Sequence, residues 1–272
     1  MRRAALNHLI LLAGVGFLVT PLVLIVLLST QSSAMISSEG LQFAIGDATR
    51  SNYARVFNIE AGFTRTVTTM QMLQNSLVVA MGVATLTTLL SLMSAYALVF
   101  FRWRLASLLF WVILATLLLP IEARFIPTFG VIAELGLVNT QLGIILPTLA
   151  LALGTFFLRQ FMLTLPPELM EAARLDAATP FRYFTDIVVP LSKGRAGAVF
   201  VIAFMIGWNQ YLWPIMVATD DSLYTLVRGL QLIGGAGSGP GMAFVVITIG
   251  PPLILVWMFQ RWFFRSLVDV EK

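Results

Sequence analysis

Residues 165–190 read Leu165-Pro-Pro-Glu-Leu-Met-Glu-Ala-Ala-Arg-Leu-Asp-Ala-Ala-Thr-Pro-Phe-Arg-Tyr-Phe-Thr-Asp-Ile-Val-Val-Pro190. The stretch is charged, punctuated by prolines and set between long apolar runs. Thr164 ahead of Pro166 and Pro167 marks a helix start, because proline in the first turn gives up no N–H that the helix needs. Glu168 and Glu171 then fall in the first turns, where the helix dipole favours negative charge. Leu169, Ala172, Ala173 and Asp176 follow at helical spacing, with alanines small enough for close docking. Thr179-Pro180 repeats the start signal, and Pro190 is expected to end the second helix. In that helix Phe181, Phe184 and Val188 share one face. The pattern predicts a helical hairpin. It either lies on lipid headgroups or is presented to a soluble partner, with an acidic rim and an apolar knob.

Working outward, almost everything else is apolar enough for lipid. The chain has 272 residues, of which 58% are hydrophobic and 11% charged, and its mean hydropathy is +0.90. A soluble domain carries roughly 25% charged residues, so this is an integral membrane protein. Cysteine is absent, which excludes disulfides and thiolate chemistry. The net charge of +4 is spread along the chain, with no basic, aromatic-interleaved patch for nucleic acid.

A span needs about 20 apolar residues. Six apolar runs are read as spans, 9–28, 75–101, 105–120, 141–161, 196–217 and 242–264, the third being shorter than the rest. The first follows Arg2, Arg3 and His8 and starts like a signal peptide, but its length favours an uncleaved span. Residues 30–65 form a polar connection that includes Arg65. Arg102-Trp-Arg104 closes the second span at a boundary. Pro120-Ile-Glu-Ala-Arg-Phe-Ile-Pro127 brackets Glu122 and Arg124 between two prolines, and a glycine-rich tip occupies 234–241. With a cytoplasmic N-terminus, twelve Lys and Arg fall on the cytoplasmic side and five on the other. The positive-inside rule therefore puts both termini and the 165–190 hairpin in the cytoplasm. The chain divides into a cytoplasmic N-terminus (1–8), a six-span domain (9–264) and a cytoplasmic tail (265–272).

Glu171-Ala-Ala-Arg-Leu-Asp-Ala-Ala178, followed by Phe184, Ile187 and Pro190, resembles the EAA motif of ABC-importer permeases. Gly207-Trp-Asn-Gln-Tyr-Leu-Trp-Pro214 is similar to the carbohydrate-type importers. Leu158-Arg-Gln-Phe161, Leu191-Ser-Lys193 and Leu267-Val-Asp-Val-Glu-Lys272 resemble the second permease subunits of glycerol 3-phosphate importers. The resemblance covers nearly the whole chain. It implies an all-α membrane protein of six transmembrane helices with a cytoplasmic coupling hairpin, the transmembrane domain of a type I ABC importer. It further implies a second permease subunit, two ATPase copies, an external binding protein and a bacterial inner-membrane location. The implied cargo is sn-glycerol 3-phosphate or a glycerophosphodiester, with another sugar or polyol as the alternative. Glu168, Glu171, Ala172, Ala173, Asp176, Ala177, Phe181 and Phe184 would contact the ATPase. The family usually has glycine where Ala177 stands. Alanine resists a left-handed corner by about 1 kcal/mol or more, so the corner is either right-handed or strained.

The chain cannot be its own ATPase. A Walker A loop needs Gly-x-x-x-x-Gly-Lys-Ser/Thr, and neither Lys193 nor Lys272 has that setting. ATP and Mg are expected on the partner, with no cofactor, metal or catalytic residue on this chain. His8 is the single histidine, which argues against a triad or a histidine metal site. Candidates for the translocation path are polar residues in or near spans: Asn75, Arg124, Trp208, Asn209 and Gln210. Arg124 suits a phosphoester or pairs with Glu122 or Glu134. Trp208 and Trp213 suit packing or interfacial anchoring as well as substrate contact. A self-sufficient secondary transporter is disfavoured, because no charged residue sits at the centre of spans one, two, four, five or six.

Overall fold

The computed structural model describes residues 2–58, 67–101, 103–120, 122–232 and 237–268. Arg65, Arg102, residues 234–236 of the glycine-rich tip and the tail 269–272 lie outside these, as do the side chains of Arg2, Arg3, Glu122, Arg261 and Arg265. Among the described residues all regular structure is helical. The elements are α1 (Arg2–Leu28), α2 (Ser33–Glu39), α3 (Thr49–Phe57), α4 (Thr69–Phe100), α5 (Ala106–Ala115), α6 (Phe125–Glu134) and α7 (Gln141–Ile145). They continue with α8 (Ala152–Met162), α9 (Pro167–Leu175), α10 (Pro180–Tyr183), α11 (Val189–Trp208), α12 (Leu212–Val217), α13 (Leu226–Gly229) and α14 (Gly239–Val268).

Among the described residues, four continuous helical runs are long and apolar enough to cross a bilayer: Ala5–Leu28, Thr69–Phe100, Pro180–Trp208 and Gly239–Gln260. A fifth candidate is a bent helix pair. Gln141–Thr148 and Ala152–Met162 meet at a bend of 47°, where Pro147 sits in a short 3-10 turn. The segment expected as the third span is a shorter apolar helix, Ala106–Leu118, about 20 Å long at 1.5 Å per residue. The six expected crossings are therefore not six uniform rods. The second begins earlier than predicted, at Thr69, and the fifth runs unbroken from Pro180.

That last difference is a correction, because Pro190 does not stop the hairpin's second helix. A proline in a helix interior offers no N–H to the preceding turn. Here a π turn, Phe184–Val188, comes first, and Val189 N–H bonds back to the Phe184 carbonyl five residues earlier. Proline then enters within the first turn of α11, the position it tolerates. The Ser192 hydroxyl takes up the Val188 carbonyl at 2.6 Å.

The chain forms two compact units. One comprises Met1–Gln74 and Tyr224–Pro251. In it the polar connection after α1 is held by amides: Gln31 Nε2 donates to the carbonyls of Gln42 (3.1 Å) and Ala44 (2.7 Å). Asn52 Nδ2 donates to those of Ser29 (2.9 Å) and Gln31 (2.8 Å). Gly239 starts α14 so close to Gln31 and Asn52 that a Cβ would strike both. The apolar side chains of α1 are largely uncovered by this chain, Phe17 being 81% exposed.

The other unit comprises Asn75–Leu223 and Pro252–Lys272 and holds both candidate sites. Its helices approach through small residues, the route to tight packing when lipid is as apolar as leucine. A Cβ on Gly154 would meet Ser91 Oγ at 2.5 Å and Val199 at 2.9 Å, and one on Gly207 would meet the Ala80 backbone and Val83 at 3.0 Å. Arg159 and Arg195 lie over the rings of Phe110 and Phe161, each 3.9 Å from the centroid. Gly207→Val is expected to lose about 1–3 kcal/mol through overpacking. Gly194→Ala, with nothing within 4 Å, should lose nothing and gain up to about 1 kcal/mol from helix propensity. Thermal unfolding of the two variants in detergent checks this contrast.

Candidate functional site

The hairpin begins at Pro166-Pro167, with Glu168 in the first turn of α9 and Arg174 in the last. Its end decides its shape. Asp176 is the C-cap, and Ala177 sits at φ +51°. Ala178 N–H bonds the Ala173 carbonyl at 2.9 Å, and Ala177 N–H bonds that of Arg174 at 3.1 Å. This is a Schellman motif, whose left-handed position glycine fills most easily. The corner is thus the strained one of the two geometries open in the sequence. Thr179 then caps α10, its Oγ accepting from Arg182 N–H at 3.2 Å.

Rings anchor the hairpin to α4. Tyr96 donates its hydroxyl to the Pro180 carbonyl at 2.8 Å. Its ring lies 4.9 Å from Phe184, 5.1 Å from Phe100 and 6.3 Å from Tyr183, centroid to centroid. Around these, Leu92, Ala95, Leu158, Met162, Ala173, Val188 and Val199 form one buried core. Arg182 and Asp186 pair at 3.3 Å on the surface, 72% and 57% exposed, where such a pair adds little.

The predicted contact set therefore divides by face. Glu168, Glu171, Ala172, Asp176, Ala177 and Phe181 are exposed. Ala173 is buried and supports the surface without forming it, while Phe184 is partly buried and packs against the core. The shared face of Phe181, Phe184 and Val188 is split in the same way: Phe181 is 74% exposed while Val188 is fully buried. One residue was missed. Leu175 at the corner is 89% exposed, and a large apolar side chain held out beside acids is the knob that the pattern implied. Its signal was a leucine next to the cap, off the face of Leu169 and Ala173.

The second candidate site is a cavity of roughly 610 Å³. Its polar lining includes Arg124, Thr116, Thr128, Thr148, Asn209, Gln210 and Tyr211, set among Leu119, Phe125, Leu151 and Ile206. Arg124 precedes α6 directly, as its N-cap. Its Nε is buried and has no hydrogen-bond partner, and among the described residues Arg124 forms no ion pair, so the alternative pairing with Glu134 is not formed. Gln210 Nε2 donates to Thr148 Oγ1 at 3.0 Å, while Gln210 Oε1 is enclosed without a partner. Trp213 is buried, bonds the Gly143 carbonyl through Nε1 at 3.1 Å and packs 5.7 Å from Phe125. Its role is packing at the cavity wall.

Three of the five predicted path residues, Arg124, Asn209 and Gln210, thus meet in one cavity. The other two do not. Trp208 is buried and stacks on Phe204 at 5.7 Å. Asn75 is buried and donates to the Ser222 carbonyl at 2.7 Å, tying α4 to an exposed loop. Asn139, at φ +57° in the link between α6 and α7, accepts from Thr219 N–H (2.7 Å) and Asp220 N–H (3.0 Å) of that loop. Ser222 N–H, 2.9 Å from Asp220, holds that carboxyl below the usual range. The threonines of the cavity were missed, since an isolated threonine in an apolar run carries no pattern.

Residues 87–269 match the family described as binding-protein-dependent transport system inner membrane component. The chain belongs to this family. It is 41% identical to the sn-glycerol-3-phosphate transport system permease protein UgpE of Brucella melitensis biotype 1, over 98% of this chain and 96% of the relative. It is also 41% identical to the protein of that name from Pectobacterium atrosepticum, with the same coverage. Among solved structures, a chain of a bacterial ABC transporter involved in import of the acidic polysaccharide alginate superposes with a TM-score of 0.82, at 20% identity and 96% coverage of both chains. That likeness concerns the fold. The permease is thus a helical membrane subunit of an ABC importer, a transport component and not the catalytic one.

Ala177→Gly in this permease is expected to relieve roughly 1 kcal/mol at the corner, partly offset by the added freedom of the unfolded chain. Amide exchange at Ala178 should slow several-fold, with exchange in α4 unchanged.

Proposed function

We propose that this permease passes sn-glycerol 3-phosphate, or a closely related glycerophosphodiester, across a bacterial inner membrane. The observation that carries the reading is Arg124, a partly buried guanidinium in a largely apolar cavity, whose Nε is unmet and which forms no ion pair among the described residues. A cation in such a place is costly alone and matches phosphate oxygens in its fork. The names of the relatives point to the same cargo. A second permease subunit completes the path, a binding protein delivers the cargo outside, and ATP and Mg act on a pair of partner ATPases. Both termini and the hairpin face the cytoplasm. The exposed acids and the Leu175–Phe181 corner dock into the ATPase. Closure of the ATPases around ATP pushes the hairpin, and Tyr96 and the continuous α10–α11 run carry that push into the spans. The cavity then opens outward to receive the cargo, and hydrolysis resets it.

Uptake of labelled sn-glycerol 3-phosphate into proteoliposomes holding the assembled transporter tests the cargo. Arg124→Gln is expected to lower uptake about 10- to 100-fold, the worth of a charge-assisted bond, with assembly intact. A loss under twofold contradicts the role of Arg124. On the hairpin, Glu171→Lys should abolish co-purification of the ATPase while membrane insertion is kept. Retained co-purification with full uptake counts against the docking role.

A further inference from the structure

We infer that Gln210 reads a free hydroxyl of the cargo, through an amide that Thr148 holds in one orientation. The inference rests on the reading of the cargo as a phosphorylated polyol. Gln210 lies in the short link between α11 and α12, and Thr148 closes the 3-10 turn at the break of the bent span. The Thr148 hydroxyl donates its proton to the Ile144 carbonyl, 3.2 Å away. Its oxygen is therefore left as an acceptor, and it takes the Gln210 Nε2 donor at 3.0 Å. A flipped amide would face Thr148 with Oε1, and the hydroxyl would have to give up its bond to Ile144 in order to donate to it. Thr148 thus favours the orientation in which Nε2 faces it and Oε1 is turned away.

That oxygen is enclosed and has no donor, a costly state for a polar atom. Gln210 lines the same cavity as Arg124, whose Nε is likewise unmet. One group asks for an anion and the other for a donor. Phosphate oxygens ionised at neutral pH satisfy only the first. A hydroxyl satisfies the second, so the complement of the pair is a small molecule carrying both. A site that bonds a substrate hydroxyl discriminates against the analogue lacking it, because its own polar group is then left unpaired.

The test uses the assembled transporter in nanodiscs without binding protein, so that selection upstream plays no part. Saturation-transfer NMR titrations compare sn-glycerol 3-phosphate with propyl phosphate, which keeps the phosphate and lacks a free hydroxyl. The wild-type preference for sn-glycerol 3-phosphate is expected to be about tenfold, the worth of one net hydrogen bond. Gln210→Leu should erase that preference and leave propyl phosphate binding within about twofold. Thr148→Val should remove part of it and have no further effect in the Gln210→Leu background, as coupled residues do. Arg124→Gln should weaken both ligands. Equal binding by the wild type, or a preference that survives Gln210→Leu in an assembled transporter, overturns the inference. Failure of the wild-type complex to import sn-glycerol 3-phosphate with its binding protein overturns the cargo reading instead.

Discussion

The hydrogen bond from Tyr96 to the Pro180 carbonyl, 2.8 Å long, sits where an apolar span meets a charged lever. α10 runs through a π turn into α11 without interruption, so a displacement of the hairpin has no loose joint in which to dissipate. The rings of Phe100, Tyr183 and Phe184 close around Tyr96. They replace the lipid that the spans bury against elsewhere. Ala95 of α4 and Ala173 of α9 belong to the same buried core, and the strained corner at Ala177 turns the chain from α9 into α10 without a longer loop. A modest local strain is kept because the surrounding core over-determines it.

Much of this was legible because hydrophobicity and helix-start chemistry act locally. The apolar runs, the Pro-led starts at 166 and 180 and the exposed acids of α9 could all be read from neighbours in sequence. What could not be read depends on distant partners. Pro190 looked like a stop because nothing local announces a π turn, whose bonding skips one residue further than the helix pattern. Ala173 and Phe184 looked like contact residues, although the core of α4 and α8 claims them. Leu175 looked ordinary, although the Schellman turn throws it outward. Arg124 and Gln210, far apart in the chain, share a cavity only because α6 and the α11–α12 link converge. Asn75 and Trp208 satisfied the same rule for polar or amphipathic residues in spans and were taken by loop and core instead.

On the proposed reading the two sites divide the labour of a permease. The hairpin presents charge and an apolar knob on a rigid mount, which is what docking to a soluble surface requires. The cavity has polar groups with unmet bonding capacity among apolar walls, which suits a small polar solute passing through a lipid-soluble protein. The bent span belongs to this second half. Its break supplies Thr148, and irregular backbone at membrane depth is tolerated where it lines a cavity.

The central claim is that the exposed corner of the hairpin is the surface through which a separate ATPase drives the permease. The chain contains no cysteine, so Leu175→Cys introduces a single thiol at that corner. Its rate of modification by a water-soluble maleimide can be compared in the permease alone and in the assembled transporter, with and without ATP. Strong protection on assembly, changing with nucleotide, is the predicted result. A thiol that reacts equally fast in all three states would contradict the account.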